Sequence, residues 1–223
     1  MTAFLAPPMG TFARLLAAFE EGFFPGRHLR RKLRKAPRAE LATLPENTFA
    51  RITGMVRPFD KRLLEAPLSG RLCVYYAVEV ISAYGAKTRE LRTEIGAEHE
   101  GMSFQLDEDT AIAVINPAHA RIDAAFDFVS ESKAAFDADE RQRALLERLD
   151  LVRRDWWNTD RLYYREAVLE ADEQIALFGA AISEPDPDAA PTGMYRDGRP
   201  QRLRFTGTAK YPLVISDDPR TVA

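Results

Sequence analysis

The chain has 223 residues, a formal net charge of −3 at pH 7, one cysteine and three histidines. That length suits one ordinary domain with extensions or two small ones. The mild charge gives the chain as a whole no pull toward nucleic acid, and a single cysteine excludes an internal disulfide or a multi-cysteine zinc module such as a RING.

The first segment, residues 11–24, reads as an amphipathic helix. Phe12, Leu15, Leu16, Phe19 and Phe23 fall on one face, Thr11 is placed to cap it, and Pro25-Gly26 stops it. A basic run follows, with Arg27, Arg30, Arg31, Lys32, Arg34, Lys35 and Arg38. Leu29 and Leu33, four apart, allow a second short helix here. Pro37 and Pro45 bound a connector. The expected organisation is an amphipathic helix and basic connector over 1–45, a folded domain over 46–218, and a polar tail over 219–223.

Residues 49–57 form the first expected strand, with Gly54 marking a bulge or bend. A basic loop carrying Arg57, Lys61, Arg62 and Arg71 leads to residues 72–84, the most strand-like stretch in the chain. Both faces of that strand are apolar, so it is expected to be central and covered. Residues 85–101 are polar and read as a loop or hairpin end. Residues 102–106 and 111–115 flank Asp107-Glu108-Asp109-Thr110, which reads as a hairpin turn or a kink in one long strand.

Asp137 and Glu140 have capping-box spacing, and Leu145, Leu146, Leu149, Val152 and Trp156 give a helical stripe. Residues 162–182 read as a strand pair turning at 170–173, residues 183–200 as an exposed loop, and 203–205 with 211–216 as closing strands. The expected fold class is mainly β with helices (α+β): a small OB-like Greek-key barrel with an N-terminal helical extension. Regular helix–strand alternation is absent, against a parallel doubly wound sheet.

Several of these residues carry a resemblance. Gly54 and Val56, the run Leu64-Glu65-Ala66-Pro67-Leu68-Ser69-Gly70, Cys73-Val74-Tyr75-Tyr76, Phe104 to Asp109, and Glu166, Leu169, Asp172 and Gly179 resemble the GIDE, or Beside-A-Membrane, domain. The similarity covers about residues 48–182. The domain occurs in organellar membrane ubiquitin ligases and in bacterial proteins. In the ligases a C-terminal RING carries the activity and transmembrane helices flank the domain. Neither feature is found in this sequence, and the acidic turn lacks the glycine the pattern carries after its aspartate. The resemblance implies a bacterial-type recognition or regulatory domain. It alone would add ubiquitin-transferase-like activity, for which the residues give no physical basis.

No residue stands out as catalytic, cofactor-binding or metal-ligating. Cys73 sits inside an apolar strand with no histidine near in sequence, the setting of a structural thiol. Asp107, Glu108 and Asp109 lack the remainder of a calcium loop, and Glu98-His99-Glu100 lacks the HExxH spacing of zinc hydrolases. The candidate partner-binding residues are Arg57, Lys61, Arg62, Arg71, Tyr75 and Trp157. Candidates for docking on a membrane or partner are Phe12, Phe19, Phe23, Arg30, Arg31, Lys32, Arg34 and Lys35.

The expected function is non-enzymatic recognition of a protein or peptide. Single-stranded nucleic-acid binding through tyrosines and the basic loop is the alternative. No run of about 18 apolar residues exists, and the start MTAFLAPPMG is unlike a secretory signal. The expected location is cytoplasmic, with peripheral membrane contact as the variant reading.

Overall fold

A computed structural model describes residues 25–59, 62–85, 91–152, 161–187 and 200–222. Its centre is a closed five-stranded barrel built from β1 (Phe49–Pro58), β5 (Phe104–Asp107), β6 (Ile112–Asn116), β10 (Gln174–Pro185) and β11 (Gln201–Thr206). Around the barrel the order is β1-β5-β6-β11-β10 and back to β1. All pairs are antiparallel except β6 with β11. Numbered within the barrel this is 1-2-3-5-4, the Greek-key order of an OB-type barrel. The chain is thus mainly β with helices, as its patterning predicts.

Alternation explains the barrel core. Ala50, Ile52 and Val56 of β1 point inward to meet Phe104, Leu106, Ile115, Ile175, Leu177 and Phe205, all buried. Gly54 stands where β1 passes from β10 to β5. A Cβ there would lie 2.6 Å from the Asp107 carbonyl oxygen, so the glycine serves close backbone approach. The register of β1 shows no shift at this point, so of the expected bulge or bend the bulge is absent.

Two long excursions from the barrel build a second sheet. The first, between β1 and β5, supplies β2 (Leu64–Glu65), β3 (Leu72–Tyr84) and β4 (Leu91–Gly101). The second, between β6 and β10, supplies β8 (Phe126–Ser132) and β9 (Arg161–Glu170). β3 is central, flanked by β9 on one side and by β4 and the short β2 on the other, and β8 lies beyond β9. The strand expected at the heart of the barrel is therefore central and covered, but in this second sheet.

Strands β9 and β10, expected as a pair, do not pair with each other. The turn at Ala171-Asp172, with Asp172 at φ 66°, passes the chain from one sheet to the other. Residues 91–101, expected as part of a loop or hairpin end, form β4, the second arm of a long hairpin with β3. It is an edge strand with charge on both faces, which hides the period-two signal.

Helix α2 (Glu140–Arg148) packs Leu145 and Leu146 on one face of the second sheet, against Tyr76, Val78, Val80, Leu162, Tyr164 and Val168. Its capping box uses Asp139 and Gln142, two residues later than expected, and Asp150 at φ 53° follows its end. Val152 is exposed, and Trp156 lies outside the described residues.

Helix α1 (Pro25–Lys35) buries Leu29 and Leu33, with Ala36 beyond its end, on the outside of the barrel against Ala176, Phe178 and Val214. Val214 belongs to β12 (Leu213–Ser216), which pairs with β10 and, in parallel, with β7 (Ala120–Asp123). Residues 219–222, expected as tail, form a short helix α3 (Pro219–Val222) with Thr221 fully buried.

Candidate interaction surface

The second sheet has two unlike faces. One is sealed by α2. It holds Cys73, which is fully buried and whose thiol is pushed up to about 11, chiefly by burial and then by Glu166 and Glu170. Such burial disfavours the thiolate form that a nucleophile needs. The other face begins against the barrel at Tyr75 and Ala77, then continues to Glu79 and Ile81.

Cross-strand register arranges that second face in rows. One row places Phe126, Ala167 and Ala77 side by side, the next Val129, Arg165 and Glu79, the next Glu131, Tyr163 and Ile81. Arg165 pairs with Glu79 and lies 4.5 Å over the Phe126 ring, and Arg92 lies 4.4 Å over the Tyr163 ring. Arg161 stands 4.0 Å from Glu131. Arg92, Arg161 and Arg165 on this face each have an opposite charge or an aromatic ring beside them, so the surface is mixed.

The sheet's two edges also differ. β4 presents Arg92, Glu94, Glu98, His99 and Glu100, a charged edge of the kind that resists further pairing. At the opposite edge β8 pairs only with β9 among the described strands. Val129 on β8 is 66 % exposed and Phe126 36 %. A strand edge with apolar side chains and no further strand beside it among the described residues is a template for one more strand.

Of the expected partner-binding residues, the structure describes Arg57, Arg62, Arg71 and Tyr75. Arg57, at the end of β1, pairs with Asp107 and Asp172. Arg71 makes a two-pronged ion pair with Asp127 at 2.6 Å on both arms and reaches Glu170 at 3.3 Å. Those bonds hold Asp127 below its usual range and fasten the start of β8 to the sheet. Arg62 is exposed in the connection before β2. Tyr75 is corrected: only 8 % exposed, its ring belongs to the barrel core and offers no partner contact. Lys61 and Trp157 lie outside the described residues.

Of the docking candidates, Phe12, Phe19 and Phe23 also lie outside them. Arg30 is corrected too, because it is turned into the protein, where it pairs with Asp123 and with Asp218 at 2.8 Å. Lys32 is partly buried, and Arg31, Arg34 and Lys35 are exposed along α1. The acidic turn is likewise structural. Asp107 binds Arg57 and caps Asp109 N–H at 3.1 Å, Asp109 takes φ 62° where glycine was looked for, and Glu108 accepts from the Leu41 N–H. Among the described residues no three His, Cys, Asp or Glu side chains gather to hold a metal ion, and no helix is long and apolar enough to cross a membrane.

Sequence reasoning passed over β8 altogether. Its signal was present in Phe126-Asp127-Phe128-Val129, an apolar run with an interposed acid, but a bulge between Phe126 and Phe128 breaks the alternation. Fold and surface together define a small OB-order barrel elaborated by an inserted, half-open sheet. Comparisons with protein-family models, with curated proteins and with solved structures find no match.

Proposed function

We propose that this chain is a non-enzymatic recognition module of GIDE type that binds an extended peptide segment of a protein partner along β8. The open, apolar-tipped edge of β8 carries the reading. A bound strand would draw affinity from main-chain hydrogen bonds and specificity from alternate side chains set against Phe126 and Val129. The pairing of Arg57 and Arg71 with carboxylates, and the burial of Tyr75, favour a protein over a nucleic-acid partner. Among the described residues, contact with an anionic membrane has the exposed Arg31, Arg34 and Lys35 to draw on, while Leu29 and Leu33 pack on the barrel.

Selection of displayed random peptides on the full chain tests the proposal. The expected result is enrichment of peptides with alternating apolar residues, bound at least tenfold more weakly by Val129→Lys, since lysine on an edge strand opposes pairing. Val129 is well exposed, so that variant keeps its fold. Peptides that bind both proteins equally would remove β8 from the site. A salt-sensitive shift with oligonucleotides and no peptide enrichment would transfer the reading to nucleic acid.

A further inference from the structure

After α1 the chain turns beside β1. The Arg51 N–H donates to the Pro37 carbonyl at 2.7 Å and the Ala39 N–H to the Arg51 carbonyl at 3.1 Å, closing a parallel bridge between Arg38 and Arg51. Bridge partners send their side chains to the same side of a sheet, where like charges oppose each other. Two cations therefore stand together at the outer wall of the barrel.

Arg51 is 8 % exposed. Its Nη1 donates to the Thr221 carbonyl at 3.3 Å, while its Nε is buried with no acceptor. Arg38 stands at the surface and donates from Nη2 to Thr53 Oγ1 at 3.4 Å. Among the described residues neither guanidinium has a carboxylate partner. Elsewhere the fold treats its arginines differently: Arg30, Arg57, Arg71, Arg165 and Arg202 each pair with Asp or Glu. Burial, and then the charge of Arg38, push Arg51 down from its ordinary value, so the site strains against its own charge. A buried charge of this kind calls for a counter-charge with hydrogen-bond acceptors.

We propose that Arg38 and Arg51, with the Thr53 hydroxyl, form a binding site for a doubly charged oxyanion of the phosphate class. Two guanidinium groups balance a dianion; Arg38 offers a planar fork of donors to its oxygens, and Arg51 adds the charge and the donors that its bond to Thr221 leaves uncommitted. Arg38 forms the solvent side of the site and Arg51 its floor. The ligand is free phosphate or a phosphoryl group on a larger molecule.

Inorganic phosphate is the probe, titrated into the full chain by calorimetry and by thermal melting, with ionic strength held constant by sodium chloride. The expected result is saturable binding with a rise in Tm, at least tenfold weaker in Arg38→Ala, whose side chain is exposed. Arg51→Lys keeps the charge but loses the fork, and is expected to weaken binding also. An absence of saturable binding, or equal binding by Arg38→Ala, would overturn the proposal. A phosphorylated peptide binding more tightly than inorganic phosphate would place the phosphoryl group on a partner; phosphate binding at least as tightly would assign the site to the free ion.

Discussion

Val78→Asp is expected to destabilise the fold severely, with a large fall in the urea midpoint. Val78 is fully buried on the sealed face of the second sheet, in register with Glu98 of β4 on one side and Glu166 of β9 on the other. An aspartate there loses the packing against α2 and places a second carboxylate beside the buried Glu166. Burying an unpaired charge costs several kcal/mol even after relaxation, roughly 3–5 kcal/mol. A domain with about 5–15 kcal/mol of total stability loses most of its margin. Urea unfolding followed by circular dichroism measures this. An unchanged midpoint would mean that β3 does not lie where the fold places it.

Glu166→Ala is the second large effect. Glu166 is fully buried, and its carboxylate accepts from the Leu68 N–H at 2.7 Å, from the Ser69 N–H at 3.2 Å and from the Ser69 hydroxyl. These bonds fix the turn of residues 66–70, which closes with Gly70 N–H donating to Ala66 O at 2.9 Å and with Gly70 at φ 75°. Alanine would strand buried donors and open a cavity, at a cost of about 3 kcal/mol. Glu166→Gln, which keeps one acceptor oxygen but turns an NH₂ toward groups that already donate, is expected to fall between. The check is the urea midpoint together with the rate of proteolysis within residues 66–70. Wild-type values for Glu166→Ala would show that the turn holds itself.

This contact also explains part of what the sequence disclosed. Leu68-Ser69-Gly70 and Glu166 lie about a hundred positions apart, and they meet in one hydrogen-bonded turn. The short motifs are legible because each meets a strict local demand: Gly70 a positive φ, Glu166 the orphan donors. Strands β1, β3, β5 and β6 were readable for the related reason that apolar alternation survives where at least one face is buried.

What was not legible depended on partners distant in sequence. Nothing local tells β3 that it pairs with β9 and leaves the barrel to β10, or that β9 and β10 part at Asp172. β4 was hidden by charge and β8 by its bulge. The basic run read correctly as helical over Leu29 and Leu33, but the inward turn of Arg30 rests on Asp123 and Asp218, which the chain delivers from β7 and the segment before α3. Arg51 gave no signal at all, since a lone arginine inside a strand is ordinary until its burial is known.

The most direct test of the account is hydrogen–deuterium exchange of the full chain with and without the tightest selected peptide. The account predicts slowed exchange in Phe126–Ser132, with little change in Leu91–Gly101 at the opposite edge. Protection confined to β5 and β6 of the barrel, with β8 unchanged, would contradict it.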